Sequence, residues 1–117
     1  MITGIQSALS GLQAFTTKIE NNANNVANQN TERFKRDRVV LSEQAPQGVR
    51  ATVEQVNSPG PVIAEQTGQG VEMIELSNVD LGEEFSDLML NTHGYKANLK
   101  TLQTADEMMQ TVLDIKA

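Results

Sequence analysis

Three groups of residues in this 117-residue chain have types and spacings that could do chemistry. Glu83, Glu84 and Asp87 gather three carboxylates within five residues, enough for acid–base work or for holding a cation. Acidic residues at the start of a helix are explained more simply by the helix dipole, and that reading is preferred. His93 is the single histidine and there is no cysteine, so thiol catalysis, a Ser-His-Asp site and a multi-histidine metal site lack support. A lone histidine on a helix is usually structural or exposed. The third group, "RFKRDR" at Arg33–Arg38, interleaves one aromatic with basic residues and could meet phosphates. It also alternates as a strand does, so a solvated strand or a patch for an acidic protein partner is preferred over nucleic acid. "TGQG", Thr67–Gly70, lacks the lysine and the following helix of a phosphate loop. No catalytic residue, metal ligand or cofactor is therefore expected, and the chain does not read as an enzyme.

The elements that would position these residues are clear at both ends. Ile5, Leu12, Ile19 and Val26 recur every seven residues, with Ala8, Leu9, Phe15 and Ala23 between them. That spacing predicts a coiled-coil helix over about Gly4–Ala27, roughly 36 Å long at 1.5 Å per residue. Thr3 and Gln6 have the spacing of a capping box at its start. The far end repeats the pattern with Leu81, Leu88, Tyr95, Leu102 and Met109, interleaved by Phe85, Thr92, Leu99 and Leu113. Asp80 and Glu83 can cap this second helix. Gly94 inside it should cost about 1 kcal/mol relative to alanine and marks a kink or a close helix contact.

Between the helices the periodicity changes. Segments 34–41, 49–56 and 71–76 are β-branched or alternating and are bounded by "APQG", "SPGP" and "GQG", which predicts two or three short strands. Residues 57–70 read as a flexible loop with at most a short extended piece. The expected fold is α+β: long N- and C-terminal helices forming a coiled-coil pair around a small β-hairpin or β-sheet middle. The units are 1–31, a helix with an Asn-rich turn; 32–76, the β region; and 77–117, the closing helix.

Composition limits what such a fold can do alone. Only 38% of residues are hydrophobic and 3% aromatic, with no Trp, so a strong self-sufficient core is not expected. Leu90 and Met108 lie beside the main stripe, an apolar surplus that predicts bundling with helices of other subunits. Six asparagines fall within Asn21–Asn30. Asn21–Asn25 are expected to be helical, with amides buried between helices and fixing register; Asn28–Thr31 should cap and turn the chain. The net charge is −6, and the stretch from Glu72 onward is strongly acidic, which argues against a nucleic-acid partner. No cleaved signal and no membrane-inserting segment is apparent.

"ALSGLQA", then "ANNVANQNT" followed by "FKR", resembles the N-terminal signature of bacterial flagellar rod, hook and hook-associated proteins. "SNVDLGEEF", "GYKANL" and "TADEM" are similar to the closing helix of the same family. The small middle most resembles a short proximal rod protein. The resemblance implies a structural subunit of the basal-body rod, exported by the flagellar type III machinery without a cleaved signal. It would polymerise through its terminal helices with itself and with other rod and hook axial proteins, into a torque-transmitting structure in the periplasm. Position by position, it implies assembly roles for Ser10, Gly11, Leu12, Ala23, Asn24, Asn25, Ala27, Asn28, Asn30 and Thr31. At the other end it implies them for Asn78, Val79, Asp80, Leu81, Glu83, Glu84, Tyr95, Ala97, Asn98, Thr104, Ala105 and Asp106. With the apolar stripes, the expected assembly surface adds Ile5, Leu9, Ile19, Val26, Phe85, Leu88, Leu99, Leu102 and Met109. Two departures stand out: Arg33 occupies a position where the family commonly has glycine, and His93-Gly94 precedes the tyrosine where the family has Arg-Ala. The alternative function is a coiled-coil adaptor or regulatory module that binds partner helices in the cytoplasm.

Overall fold

The computed structural model describes residues 2–116, and its elements run α1 (Ile2–Ala27), β1 (Asp37–Glu43), β2 (Val49–Gln55), β3 (Val62–Thr67), β4 (Gly70–Glu75) and α2 (Leu81–Lys116). Met1 and Ala117, the outer limits of the expected terminal units, lie outside the described residues. Two long helices flank two antiparallel hairpins, the α+β arrangement expected. Thr3 lies inside α1, so the expected capping box does not start the helix. Asp80 does cap α2: its Oδ1 accepts the backbone N–H groups of Gly82 at 2.9 Å and Glu83 at 3.3 Å.

The helices pack antiparallel. The first turns of α2 lie beside the end of α1, Gly94 faces Phe15, and Asn98 faces Gly11. Near the start of α1, Gly4 and Ile5 share a groove with Ala105 and Met108 of α2. A helix of 36 residues is about 54 Å long and one of 26 about 39 Å, so the end of α2 runs past its partner. Val112, Leu113 and Ile115 on that overhang are all more than half exposed, as is Met108 at the edge of the groove. The molecule measures 81 × 24 × 17 Å, with a radius of gyration of 20.9 Å. A compact domain of this length would have about 13 Å.

Helix α1 ends where the asparagines accumulate. The N–H of Asn28 is shared between the carbonyls of Asn24 and Asn25 at 3.2 Å, the Thr31 N–H bonds the Asn28 carbonyl at 3.1 Å, and the Thr31 hydroxyl donates to Asn28 Oδ1. Arg33 then adopts φ +59°, the left-handed region that glycine occupies freely and that costs other residues about 1–2 kcal/mol. Arginine therefore performs a turn whose backbone geometry glycine would adopt without strain.

β1 pairs β2 in register from Asp37↔Gln55 to Glu43↔Val49, and this hairpin lies on α1. The first strand thus begins at Asp37 rather than Phe34. The Phe34 carbonyl is bonded elsewhere, accepting the Asn78 N–H, whereas the Val56 N–H to Arg36 carbonyl bond carries the β1–β2 pairing one step beyond the strand. Residues 57–70, expected as a loop, contain β3, which pairs β4 from Val62↔Glu75 to Thr67↔Gly70. Alternation in "VIAEQT" is blurred because both faces of this hairpin are exposed, which removes the usual in–out contrast. The second hairpin touches neither helix nor the first hairpin.

Candidate assembly interface

Contact between the helices is centred one step around α1 from the apolar stripe. The buried residues of α1 are Ala8, Gly11, Ala14, Asn22 and Asn25, and those of α2 are Glu84 and Asn91. Ile5, Leu12, Ile19 and Val26 are only half-buried, as are Leu81, Leu88, Tyr95 and Leu102. Leu9, Phe85, Leu99 and Met109 are 38–49% exposed. Ala8, Gly11, Phe15, Lys18, Asn22 and Asn25 follow the alternating three–four spacing of a helix seam, and the small ones let the backbones approach. A Cβ on Gly11 would lie 2.6 Å from Asn98 Oδ1, and one on Gly94 would enter the Phe15 ring. Gly94 is therefore a close contact, not a kink, and its missing side chain makes room for the Phe15 ring.

At the hairpin end the seam is polar. Asn22, Asn25 and Asn91 are the largest fully buried side chains among the described residues. Asn22 Nδ2 donates to Glu84 Oε2 at 2.7 Å, Asn25 Nδ2 donates to Glu84 Oε1 at 3.1 Å, and Asn91 Nδ2 donates to Asn22 Oδ1 at 2.7 Å. Asp87 receives weaker bonds of 3.2 Å from Asn22 and Asn91, with Lys18 at 4.0 Å. Arg36 approaches the same cluster, 3.1 Å from Glu83 and 3.9 Å from Glu84. Every buried side-chain polar atom among the described residues is partnered. A satisfied network of this kind fixes register, because sliding one helix by a residue would strand several buried polar groups.

Asn25 and two further asparagines hold the first hairpin. Asn25 behaves like a strand neighbour to Asp37, donating to its carbonyl at 2.8 Å and accepting its N–H at 3.0 Å; Asn21 donates to that carbonyl at 2.9 Å. Asn78 accepts the Arg36 N–H at 2.7 Å and donates to the carbonyls of Val56 and Ser58, both at 2.9 Å. Ser10 accepts the Val49 N–H at 3.2 Å and returns its proton to the Ser7 carbonyl. The second hairpin is tethered through Glu75, which pairs with Lys35 and accepts the Gly60 N–H at 3.0 Å. The Lys35 hydrogen bond, then that of Gly60, holds the Glu75 carboxyl below the ordinary carboxylate value.

These contacts also account for the residues that might have done chemistry. Glu84 is buried and occupied by amide donors, so dipole complementarity alone does not explain it; Glu83 is exposed. Lys35, Arg36 and Arg38 pair with Glu75, Glu83 and Glu54. His93 is exposed on α2. No group of three or more His, Asp or Glu among the described residues is placed to hold a metal. Of the expected assembly residues, Ser10, Gly11, Asn25 and Asn98 lie in intramolecular contacts, and Ala23 and Asn24 face outward. Asn22, Asn91 and the carboxylate of Glu84 are the seam residues that apolar periodicity passed over; the three–four spacing of small and amide residues is their signal.

Comparison with known proteins adds a second line of observation. The family described as "Flagella basal body rod protein" matches residues 5–35, covering α1 and the Asn-rich turn. "Flagellar basal body rod FlgEFG protein C-terminal" matches residues 71–115, covering β4 and α2. The flagellar hook protein FlgE of Treponema pallidum is 46% identical over 43 residues, which is 37% of this chain and 9% of that protein. FlgE of Borreliella burgdorferi is 39% identical over 44 residues, 38% of this chain and 10% of that protein. The flagellar basal-body rod protein FlgG of Bacillus subtilis is 33% identical over 69 residues, 54% of this chain and 26% of that protein. The matched regions thus span from about a tenth to about a quarter of the length of these relatives.

Proposed function

The chain belongs to the flagellar rod/hook family, and from that premise we propose that it is an axial structural subunit of the basal-body rod, polymerising through its terminal helices. The observation that carries this reading is the mismatch between apolar pattern and burial. The helix seam uses alanine, glycine and asparagine, while the heptad residues remain half-buried or exposed and α2 overhangs α1 with an apolar end. Apolar area left open in one subunit stabilises contact with the next at about 25 cal/mol per Å² covered.

In this reading the polar joint sets the angle between helices and hairpins, while the open stripes join neighbouring subunits. Residues on the stripe, Ile5, Leu9, Leu12, Ile19 and Val26 with Phe85, Leu88, Leu99, Leu102 and Met109, take the inter-subunit contacts. Helices packed side by side along an axis resist twisting, which supports a torque-transmitting role across the periplasm. Among the described residues only two apolar side chains, Ala8 and Ala14, are fully buried, so the isolated subunit is weakly held, which suits passage through the flagellar export machinery in an unfolded state.

Leu12→Asp and Leu102→Asp place a carboxylate on the half-buried stripe without touching the asparagine network. Each is expected to leave expression intact and to abolish swimming by blocking incorporation. Normal swimming by a strain carrying either variant as its sole copy would refute the proposal.

A further inference from the structure

The second hairpin carries an electrostatic conflict that no ion pair among the described residues relieves. Cross-strand partners share a face, so Ile63 and Ile74 form one pair and Glu65 and Glu72 the next. Two carboxylates directly opposite one another repel, and neither has an ion-pair partner among the described residues. Both faces of the hairpin are open, although a lone two-stranded hairpin is only marginally stable in water.

The complementary surface lies on the outer face of the first hairpin. There the pairs Arg38↔Glu54, Val40↔Thr52 and Ser42↔Arg50 point away from α1. Arg38 is tied to Glu54 at 3.0 Å, but Arg50 is exposed and has no ion-pair partner among the described residues, and Val40 is 39% exposed. An apolar centre with a net positive charge on one hairpin thus matches an apolar end with two negative charges on the other. The hairpins do not touch within one chain, so the match can be satisfied only between molecules.

We propose that the Ile63–Glu65–Glu72 face of one copy docks on the Val40–Arg50 face of a second copy. Because the two surfaces differ, the contact is heterologous and repeats from copy to copy. This deepens the structural-subunit reading and rests on it. Six residue pairs at about 3.3 Å per residue, on strands about 4.8 Å apart, cover roughly 200 Å² per copy. That is about a quarter of an ordinary interface, so the contact reinforces the helix contacts and does not replace them.

Charge reversal tests it, with the purified full chain and with the chain in basal bodies. Glu65→Arg with Glu72→Arg should weaken self-association roughly tenfold by sedimentation, given two exposed charge pairs turned repulsive. Arg50→Glu should weaken it likewise, and mixing the two variants should restore association. In an Arg50→Lys chain, carbodiimide should join the introduced amine to Glu65 or Glu72 of another copy, read by mass spectrometry of the linked peptides. Circular dichroism checks folding. Unchanged association of the reversed variants, or failure of the mixture to recover while Leu102→Asp still abolishes assembly, would overturn the hairpin contact alone. Links from the introduced amine only to other proteins would assign the surface to a different partner and equally overturn it. Absence of the chain from basal bodies would instead sink the rod reading, and sedimentation would still decide the hairpins.

Discussion

Replacing Asn25 by alanine should destabilise this fold more than truncating the apolar residue beside it. Asn25 is fully buried and makes three hydrogen bonds, to both backbone groups of Asp37 and to Glu84. In Asn25→Ala the Asp37 N–H loses its side-chain acceptor, at a cost of about 1–3 kcal/mol, and a buried carboxylate loses a donor worth about 1.5–3 kcal/mol. The Asp37 carbonyl keeps Asn21, and Glu84 keeps Asn22 and Arg36, so these losses are partly offset. A net cost of about 3 kcal/mol follows, against a total of about 6 kcal/mol for a chain of this length at the low end of per-residue stability. Val26→Ala, next door on the half-buried stripe, removes little buried area and should cost about 1 kcal/mol. Urea unfolding followed by circular dichroism compares the two, with the Asn25 variant shifted by about 1–2 M in midpoint. Hydrogen exchange at the Asp37 amide gives a local readout. Equal or larger destabilisation by Val26→Ala, with Asp37 still protected in Asn25→Ala, would refute the view that the amide network holds the joint.

Two further outcomes follow from the geometry. Gly94→Ala gains about 1 kcal/mol of helix propensity but drives a methyl into the Phe15 ring, where crowding costs about 1–3 kcal/mol, so the variant should be less stable; adding Phe15→Leu should recover the gain, and thermal melts of the single and double variants check the sign. Because Lys35 and Gly60 hold the Glu75 carboxyl below 4.5, its tether contributes fully above that pH and is lost as pH falls through the lowered value; protection of the Gly60 amide, measured against its intrinsic exchange rate at each pH, should therefore fall on acidification, and Glu75→Gln should remove that dependence.

The elements that bury something on one side were legible. Heptads placed both helices, and the capping pattern placed Asp80 at the start of α2. The helix seam was less so, because the strongest hydrophobic period marks the widest apolar face, and in this chain that face is not the one pressed hardest against the partner helix. Ala8, Gly11 and the asparagines win the seam because they allow closer approach and because three amides with Glu84 satisfy one another. β3 is legible only as a short extended piece within a loop, because a hairpin open on both faces has no reason to alternate. Arg33 shows a different limit: the left-handed backbone geometry of the turn is kept without the glycine that normally signals it.

The identity of the chain as an axial subunit is tested most directly by quantifying it in purified basal bodies, by mass spectrometry, beside the cytoplasmic fraction of the same cells. Enrichment in the basal bodies, abolished by Leu102→Asp, is the predicted result. Recovery of the protein only in cytoplasmic complexes, with basal bodies intact without it, would contradict the rod assignment and favour an adaptor that binds partner helices.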